Sequence, residues 1–221
     1  MMLYADPAQT DTAFLQRLVL LLPPEKQSAI AHIRHLPSRR ESILGWGLLL
    51  YAWRLKTGEQ SLPPLGFSER GKPFFKDASL AFSISHTDTL VCLALSETGN
   101  IGVDAQTLRL PSDRLAQKVL TEAERAVLAK AADPARTFTR FWTQKEALVK
   151  QTGEGIARGL STIDFAPWAK EDRFYAFGLQ FFSETIGNAA VTQCAPQLSP
   201  EPSQAVTQRQ MEKVLFFEKD G

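Results

Sequence analysis

Glu146 and Lys150 stand one helical turn apart in Phe141-Trp142-Thr143-Gln144-Lys145-Glu146-Ala147-Leu148-Val149-Lys150, with Lys145 just ahead of them. Phe138, Phe141, Trp142, Lys145, Leu148 and Val149 follow the i, i+3, i+4, i+7 rule. That spacing puts an ammonium group inside an apolar stripe, and Glu146 and Lys150 on a neighbouring face. Helix physics alone offers an i,i+4 ion pair of about 0.2–0.5 kcal/mol beside a snorkelling lysine. Other polar residues point to phosphate. Lys72 in Gly71-Lys72-Pro73 can approach one as a point charge. Ser85 and His86 supply two hydrogen-bond donors, whereas a nucleophile and base couple is disfavoured because strand neighbours point to opposite faces. Asp104 ends the short apolar strand Ile101-Gly102-Val103, where a half-buried carboxylate needs a cation or donors to offset its desolvation.

Two nucleotide motifs fail on inspection. Gly66 to Pro73 nearly fits the phosphate loop GxxxxGK[ST], but Pro73 brings neither hydroxyl nor N–H, and Phe74-Phe75 does not open a helix. Gly153-Glu154-Gly155-Ile156-Ala157-Arg158-Gly159 has GxGxxxG spacing and follows a helix rather than a strand, which excludes the dinucleotide loop.

The elements that must carry these residues come from a chain of 221 residues, 44% hydrophobic and 22% charged, an ordinary globular balance. Its net charge of +1 argues against a nucleic-acid binder that relies on a uniform basic field. The apolar runs are too short to span a bilayer, and the N-terminus lacks a signal pattern. Cys92 and Cys194 sit far apart without metal or redox spacing, as free thiols of a cytoplasmic protein would. Helices are expected at 13–22, 25–36, 39–56 with Ser38 as cap, 122–132 from the capping box Thr121 to Glu124, and 135–151. Strands are expected at 80–86, 89–95 and 101–105 as an antiparallel meander, and again at 161–165, 174–182 and 189–194. Ser96 to Val103 is loosely echoed by Ser183 to Val191. The segment 196–208 is expected to be mobile, and 209–218 a short strand or helix. The chain thus reads as α+β in two similar halves, 1–106 and 107–221. Residues 107–150 carry nine basic against five acidic side chains, a local +4.

Gly71-Lys72-Pro73, Phe82-Ser83-Ile84-Ser85-His86, Gly102-Val103-Asp104 and Trp142-Thr143-Gln144-Lys145-Glu146-Ala147-Leu148-Val149-Lys150 together resemble, in order, the motifs of 4′-phosphopantetheinyl transferases. The resemblance runs from about residue 38 to 165, and length and two-half construction make it similar to the Sfp-type class, a single-chain pseudodimer. It implies halves related by a pseudo-twofold axis, each a helix on a small, mostly antiparallel sheet, with the active site in the cleft between them. It also implies an enzyme that moves the phosphopantetheine arm of coenzyme A to a serine of an apo acyl or peptidyl carrier protein, releasing 3′,5′-ADP, with Mg²⁺ as cofactor. By resemblance Asp104 and Glu146 hold the metal, Glu146 is the base, and Lys150 is a candidate proton donor. Lys72, Pro73, Ser85, His86, Lys145 and Lys150 would contact coenzyme A, as would Arg39 or Arg40. The family often has a second acid where Gln106 stands, so the amide would coordinate or hold a water without adding charge. That departure keeps open a non-catalytic coenzyme A or carrier-protein binding module. The +4 region suits an acidic carrier surface; no nucleic acid or membrane is expected as partner, and the chain is expected to be a monomer.

Overall fold

A computed structural model of the chain describes residues 1–77, 79–153 and 159–216. Strand β1 (Met2–Ala5) leads into helix α1 (Thr12–Leu20), whose N-cap Asp11 accepts a hydrogen bond from the Phe14 amide. Pro23-Pro24 ends that run and starts α2 (Pro24–Ala31). Helix α3 (Leu36–Thr57) begins earlier than expected: His35, not Ser38, is the cap, because Pro37 suits a first helical turn and the His35 ring accepts from the Ser38 amide. A small hairpin, β2 (Leu65–Phe67) and β3 (Pro73–Phe75), follows, so the GxxxxGK-like stretch is a hairpin turn with Gly71 at φ +81°. Next come β4 (Ala81–His86), β5 (Val91–Ser96) and β6 (Gly102–Thr107).

The expected meander holds for β4 and β5, which pair antiparallel, and fails at β6. β5 pairs instead with β1, and β10 (Gln204–Ala205) adds a parallel edge, so part of the stretch expected to be mobile is a strand. β6 joins a second sheet, ordered β6-β9-β8-β7, with β7 (Arg173–Ala176), β8 (Leu179–Ile186) and β9 (Ala189–Ala195). The reason lies in side chains. The amides of Val103 and Ala105 donate to the hydroxyls of Ser83 and Ser85, both at 3.1 Å, so β4 adjoins β6 through serines instead of a backbone ladder. The two echoed segments also differ in role: the first passes from one sheet to the other, whereas the second is the tight β8–β9 hairpin.

The C-terminal helices are α4 (Asp113–Val119), which was not foreseen, α5 (Glu122–Leu128) with its capping box intact, α6 (Pro134–Thr152) and α7 (Gln208–Leu215). The strand expected at 161–165 is a 3-10 turn, Leu160–Thr162. The structure is therefore a mixed α+β fold in four layers. Leu44, Leu48 and Leu49 of α3 share a core with Val91, Leu93 and Leu95. The alternate residues Cys92 and Ala94 share a second core with Val103, Ala105 and Val191. Phe138, Phe141 and Leu148 of α6 pack with Phe181 and Cys194 on the outer side of the second sheet. Each such large apolar side chain contributes about 1.5–3 kcal/mol on burial. Gly102 lets α6 lie directly on β6: a Cβ there would stand 2.0 Å from the Ala147 carbonyl oxygen. Among the described residues no helix is long and apolar enough to cross a membrane.

Candidate active site

The close approach at Gly102 brings the last two turns of α6 beside Asp104, two residues further along β6. Lys150 Nζ meets Asp104 Oδ1 at 2.7 Å and the Ser85 hydroxyl at 2.9 Å. The Ser85 hydroxyl gives its single proton to the same Asp104 oxygen, at 3.0 Å. Asp104 Oδ2 is buried and has no hydrogen-bond partner. A buried orphan carboxylate oxygen is costly, and its natural complement is a cation. Glu146 lies one turn before Lys150, and burial, followed by the nearby Asp104 carboxylate, pushes its carboxyl above the usual range, with Lys150 opposing. Two carboxylates that feel each other, one with a free buried oxygen, fit a hard divalent cation that takes oxygen ligands. Gln106 sits two residues beyond Asp104 on the same strand face. Among the described residues no group of three or more His, Cys, Asp or Glu side chains forms a cluster, so the acid pair has only the amide to extend it.

A cavity of about 400 Å³ opens beside this pair, between α3, β4 and α6. Trp46, Phe82, Ile84 and Val149 give it an apolar wall, while Arg70, Lys72, His86, Glu146 and Lys150, with Ser42 and Ser83, supply its polar groups. Pro73 also lines it, following Lys72 out of the hairpin turn. Lys72 donates to the Ile101 carbonyl at 3.0 Å, and burial, reinforced by Lys150, lowers its ammonium to about 8. Lysine held in this way sheds its proton readily and gains most from an incoming anion.

The structure does not bring every sequence-selected residue to this cavity. Lys145 is fully buried on the opposite side of α6, where its Nζ pairs with Glu124 at 2.5 Å and donates to the Val119 and Leu160 carbonyls. All three ammonium donors are spent, so Lys145 cannot reach a phosphate; it ties α6 to α5 and to the 3-10 turn. Ser85 is buried, and its proton is committed to Asp104, so it supports the carboxylate and does not face the cavity. Arg40 donates to the Thr10 carbonyl, and neither Arg39 nor Arg40 lines the cavity. Both arginines fall in the first turns of α3, ahead of Ser42 and Trp46, the residues of that helix that line the cavity. Of the GxGxxxG stretch, residues 154–158 lie outside the described residues.

Sequence reasoning missed two partners. Glu124 was assigned to the capping box, which it does make, but its Oε1 also accepts from the Phe165 amide and its Oε2 takes Lys145. A buried lysine within an apolar stripe was the signal that a buried acid had to exist. Glu41, at the start of α3, pairs with His86 and carried no sequence signal of its own.

Residues 100–194 match the sequence model of the 4′-phosphopantetheinyl transferase superfamily. The 4′-phosphopantetheinyl transferase HetI of Nostoc is 37% identical over 108 residues, 45% of this chain and 45% of that protein. The 4′-phosphopantetheinyl transferase AcpT of Salmonella typhi is 38% identical over 110 residues, 47% of this chain and 56% of that protein. The L-aminoadipate-semialdehyde dehydrogenase-phosphopantetheinyl transferase of Saccharomyces cerevisiae is 28% identical over 208 residues, 85% of this chain and 76% of that protein. The chain thus spans about half the length of the bacterial relatives it matches. The matched span contains Asp104, Glu146 and Lys150, and over it the chain is similar to the 4′-phosphopantetheinyl transferase superfamily.

Proposed function

We propose that this protein transfers the 4′-phosphopantetheine arm of coenzyme A to a serine hydroxyl of an apo acyl or peptidyl carrier protein, releasing 3′,5′-ADP. The observation that carries the reading is Glu146 and Lys150 on the wall of the cavity, with Lys150 holding the Asp104 carboxylate, whose Oδ2 is orphaned. The similarity of residues 100–194 to the 4′-phosphopantetheinyl transferase superfamily and the names of the relatives support it.

Transfer of this kind depends on positioning and charge neutralisation more than on covalent help. Lys72 and Lys150 line the cavity as ammonium groups for the pyrophosphate oxygens, and the apolar wall of Trp46, Phe82 and Ile84 excludes water from them. Glu146, a carboxylate with raised proton affinity, takes the proton from the acceptor serine as its oxygen attacks phosphorus. Lys150 is placed to return a proton to the departing phosphate. Asp104 and Glu146 would hold magnesium, with Gln106 as an amide or water-bridging neighbour, and the metal would neutralise pyrophosphate charge. The hydroxyl of Ser85 keeps Asp104 aimed at that position. The basic stretch 107–150 suits an acidic carrier surface, and the free thiols Cys92 and Cys194 suit the cytoplasm. We read the two helix-on-sheet units, α3 with the first sheet and α6 with the second, as the halves of a monomeric pseudodimer.

The test is incubation with several apo carrier proteins, coenzyme A and magnesium, followed by intact mass. The expected result is a mass gain of one phosphopantetheine, reduced about 10²–10⁴-fold in rate by Glu146→Gln or Lys150→Ala with the fold kept. Coenzyme A binding without mass gain on any carrier would instead support a non-catalytic binding module.

A further inference from the structure

Glu41 is 7% exposed near the N-terminal end of α3, and its Oε2 lies 2.9 Å from His86 Nδ1. Among the described residues it is the ion-pair partner of that ring. His86 itself lines the cavity at the end of β4, with 43% of its side chain exposed, whereas Glu41 does not line it. A carboxylate only accepts hydrogen bonds, so Nδ1 carries a proton toward Glu41 and Nε2 is the ring atom left to face the cavity. The helix is well placed to do this. Ser42 follows Glu41 directly and Trp46 lies one turn beyond Ser42, and both line the cavity, so the carboxylate sits just behind the wall. A nearly buried acid is costly to keep, and without a role for His86 an apolar residue would serve α3 better.

We propose that Glu41 is a positioning residue: it accepts from His86 Nδ1–H and locks the ring so that Nε2–H of the doubly protonated imidazolium donates to an anionic oxygen of the bound coenzyme A. The inference rests on the coenzyme A reading above. Carboxylates that hold the far nitrogen of a working histidine act in the same manner at metal sites.

The test measures coenzyme A affinity by calorimetry, together with KM and kcat, for the full chain and for Glu41→Leu, Glu41→Gln, His86→Ala and the double variant Glu41→Leu/His86→Ala. Glu41→Leu is expected to weaken coenzyme A binding by about 10–150-fold with kcat within about 2-fold, the size of a lost hydrogen bond to a charged group. In the His86→Ala background the same change should cost nothing further, and Glu41→Gln, which keeps an acceptor oxygen, should recover most of the affinity. Equal losses in both backgrounds, or an unchanged affinity in Glu41→Leu, would overturn the proposal while leaving the coenzyme A reading intact. Failure of the wild-type chain to bind coenzyme A would overturn both. Should Glu41→Leu not fold, nitrogen-15 NMR of the wild-type ring in the coenzyme A complex decides: protons on both Nδ1 and Nε2 are required, and a ring protonated on one nitrogen only refutes the idea.

Discussion

Gly102→Ala adds one methyl group at the point where β6 touches α6, and the outcome can be worked from the distances there. The new Cβ would lie 2.0 Å from the Ala147 carbonyl oxygen and 2.7 Å from the Gln151 amide nitrogen. Ordinary contact begins at roughly 3.4 Å, so strand and helix must part by up to about 1.4 Å in an interior as dense as an organic crystal. Both obstacles are backbone atoms, so no side chain can swing aside. Overpacking of this kind costs about 1–3 kcal/mol, which for a chain of this length lowers the melting temperature by about 2–12 °C. The effect on chemistry should be larger. Asp104 and Lys150 meet at 2.7 Å directly across this contact, and a displacement of about 1 Å at a reacting centre costs on the order of 10²-fold in rate. The assay is holo-carrier formation by mass spectrometry at saturating coenzyme A, well below the melting temperature of the variant. A folded Gly102→Ala protein whose rate stays within about 3-fold of wild type would refute the claim that this contact sets the active geometry.

Two further outcomes follow from buried charges. Lys72 is held near 8 by burial, so coenzyme A affinity should fall as pH rises through that value; a Lys72→Ala variant should bind weakly and lose that pH step, which titration calorimetry from pH 7 to 9.5 would reveal. By the same shift the unfolded chain binds more protons between about 8 and the ordinary lysine range, so this group makes the folded state gain stability as pH rises across that window. Lys145→Met strands Glu124 without its cation and should cost about 3–5 kcal/mol by denaturant melting, while Glu124→Leu/Lys145→Met together should recover only part of it, because the Thr121 and Phe165 amides and the Val119 and Leu160 carbonyls also lose their partners. A Lys145→Met variant as stable as wild type would contradict the view that Lys145 compensates the buried Glu124.

Much of the site was legible because chemistry and periodicity agree in α6. The i, i+3, i+4 pattern placed Phe138, Phe141 and Leu148 inside and Glu146 and Lys150 together on one face, and the structure has them so. Asp104 was legible as a carboxylate following apolar residues that needs a cation, although it lies inside β6 and not at its end. The pattern could also say that Lys145 points inward, but not that an acid waits there, since Glu124 is 21 positions away and its capping box already explained it. Strand order was the other loss. Alternation within β6 fixes which face each residue shows, yet gives no information about which neighbour completes the ladder, and a short turn from β5 made a hairpin the local expectation. β1 escaped because Met2 to Ala5 is too short to carry a period. α3 was displaced because the Ser38 cap looked sufficient, while Pro37 and the His35 ring together start the helix sooner.

The serine stitches between β4 and β6 bear on how the protein comes to be active. They join residues 20 positions apart, and the same Ser85 oxygen takes Lys150 from 65 positions away. Local turns and helices form early in such a chain, and contacts this distant close late. A molecule that has completed its first sheet alone therefore owns a hydroxyl and a histidine but no carboxylate pair. One that has completed α6 and the second sheet alone owns the carboxylates without the donor that aims Asp104. The seam therefore exists only when both sheets are in place, and a partly folded chain, or a fragment cut between the sheets, lacks the contacts that join Ser85, Asp104 and Lys150.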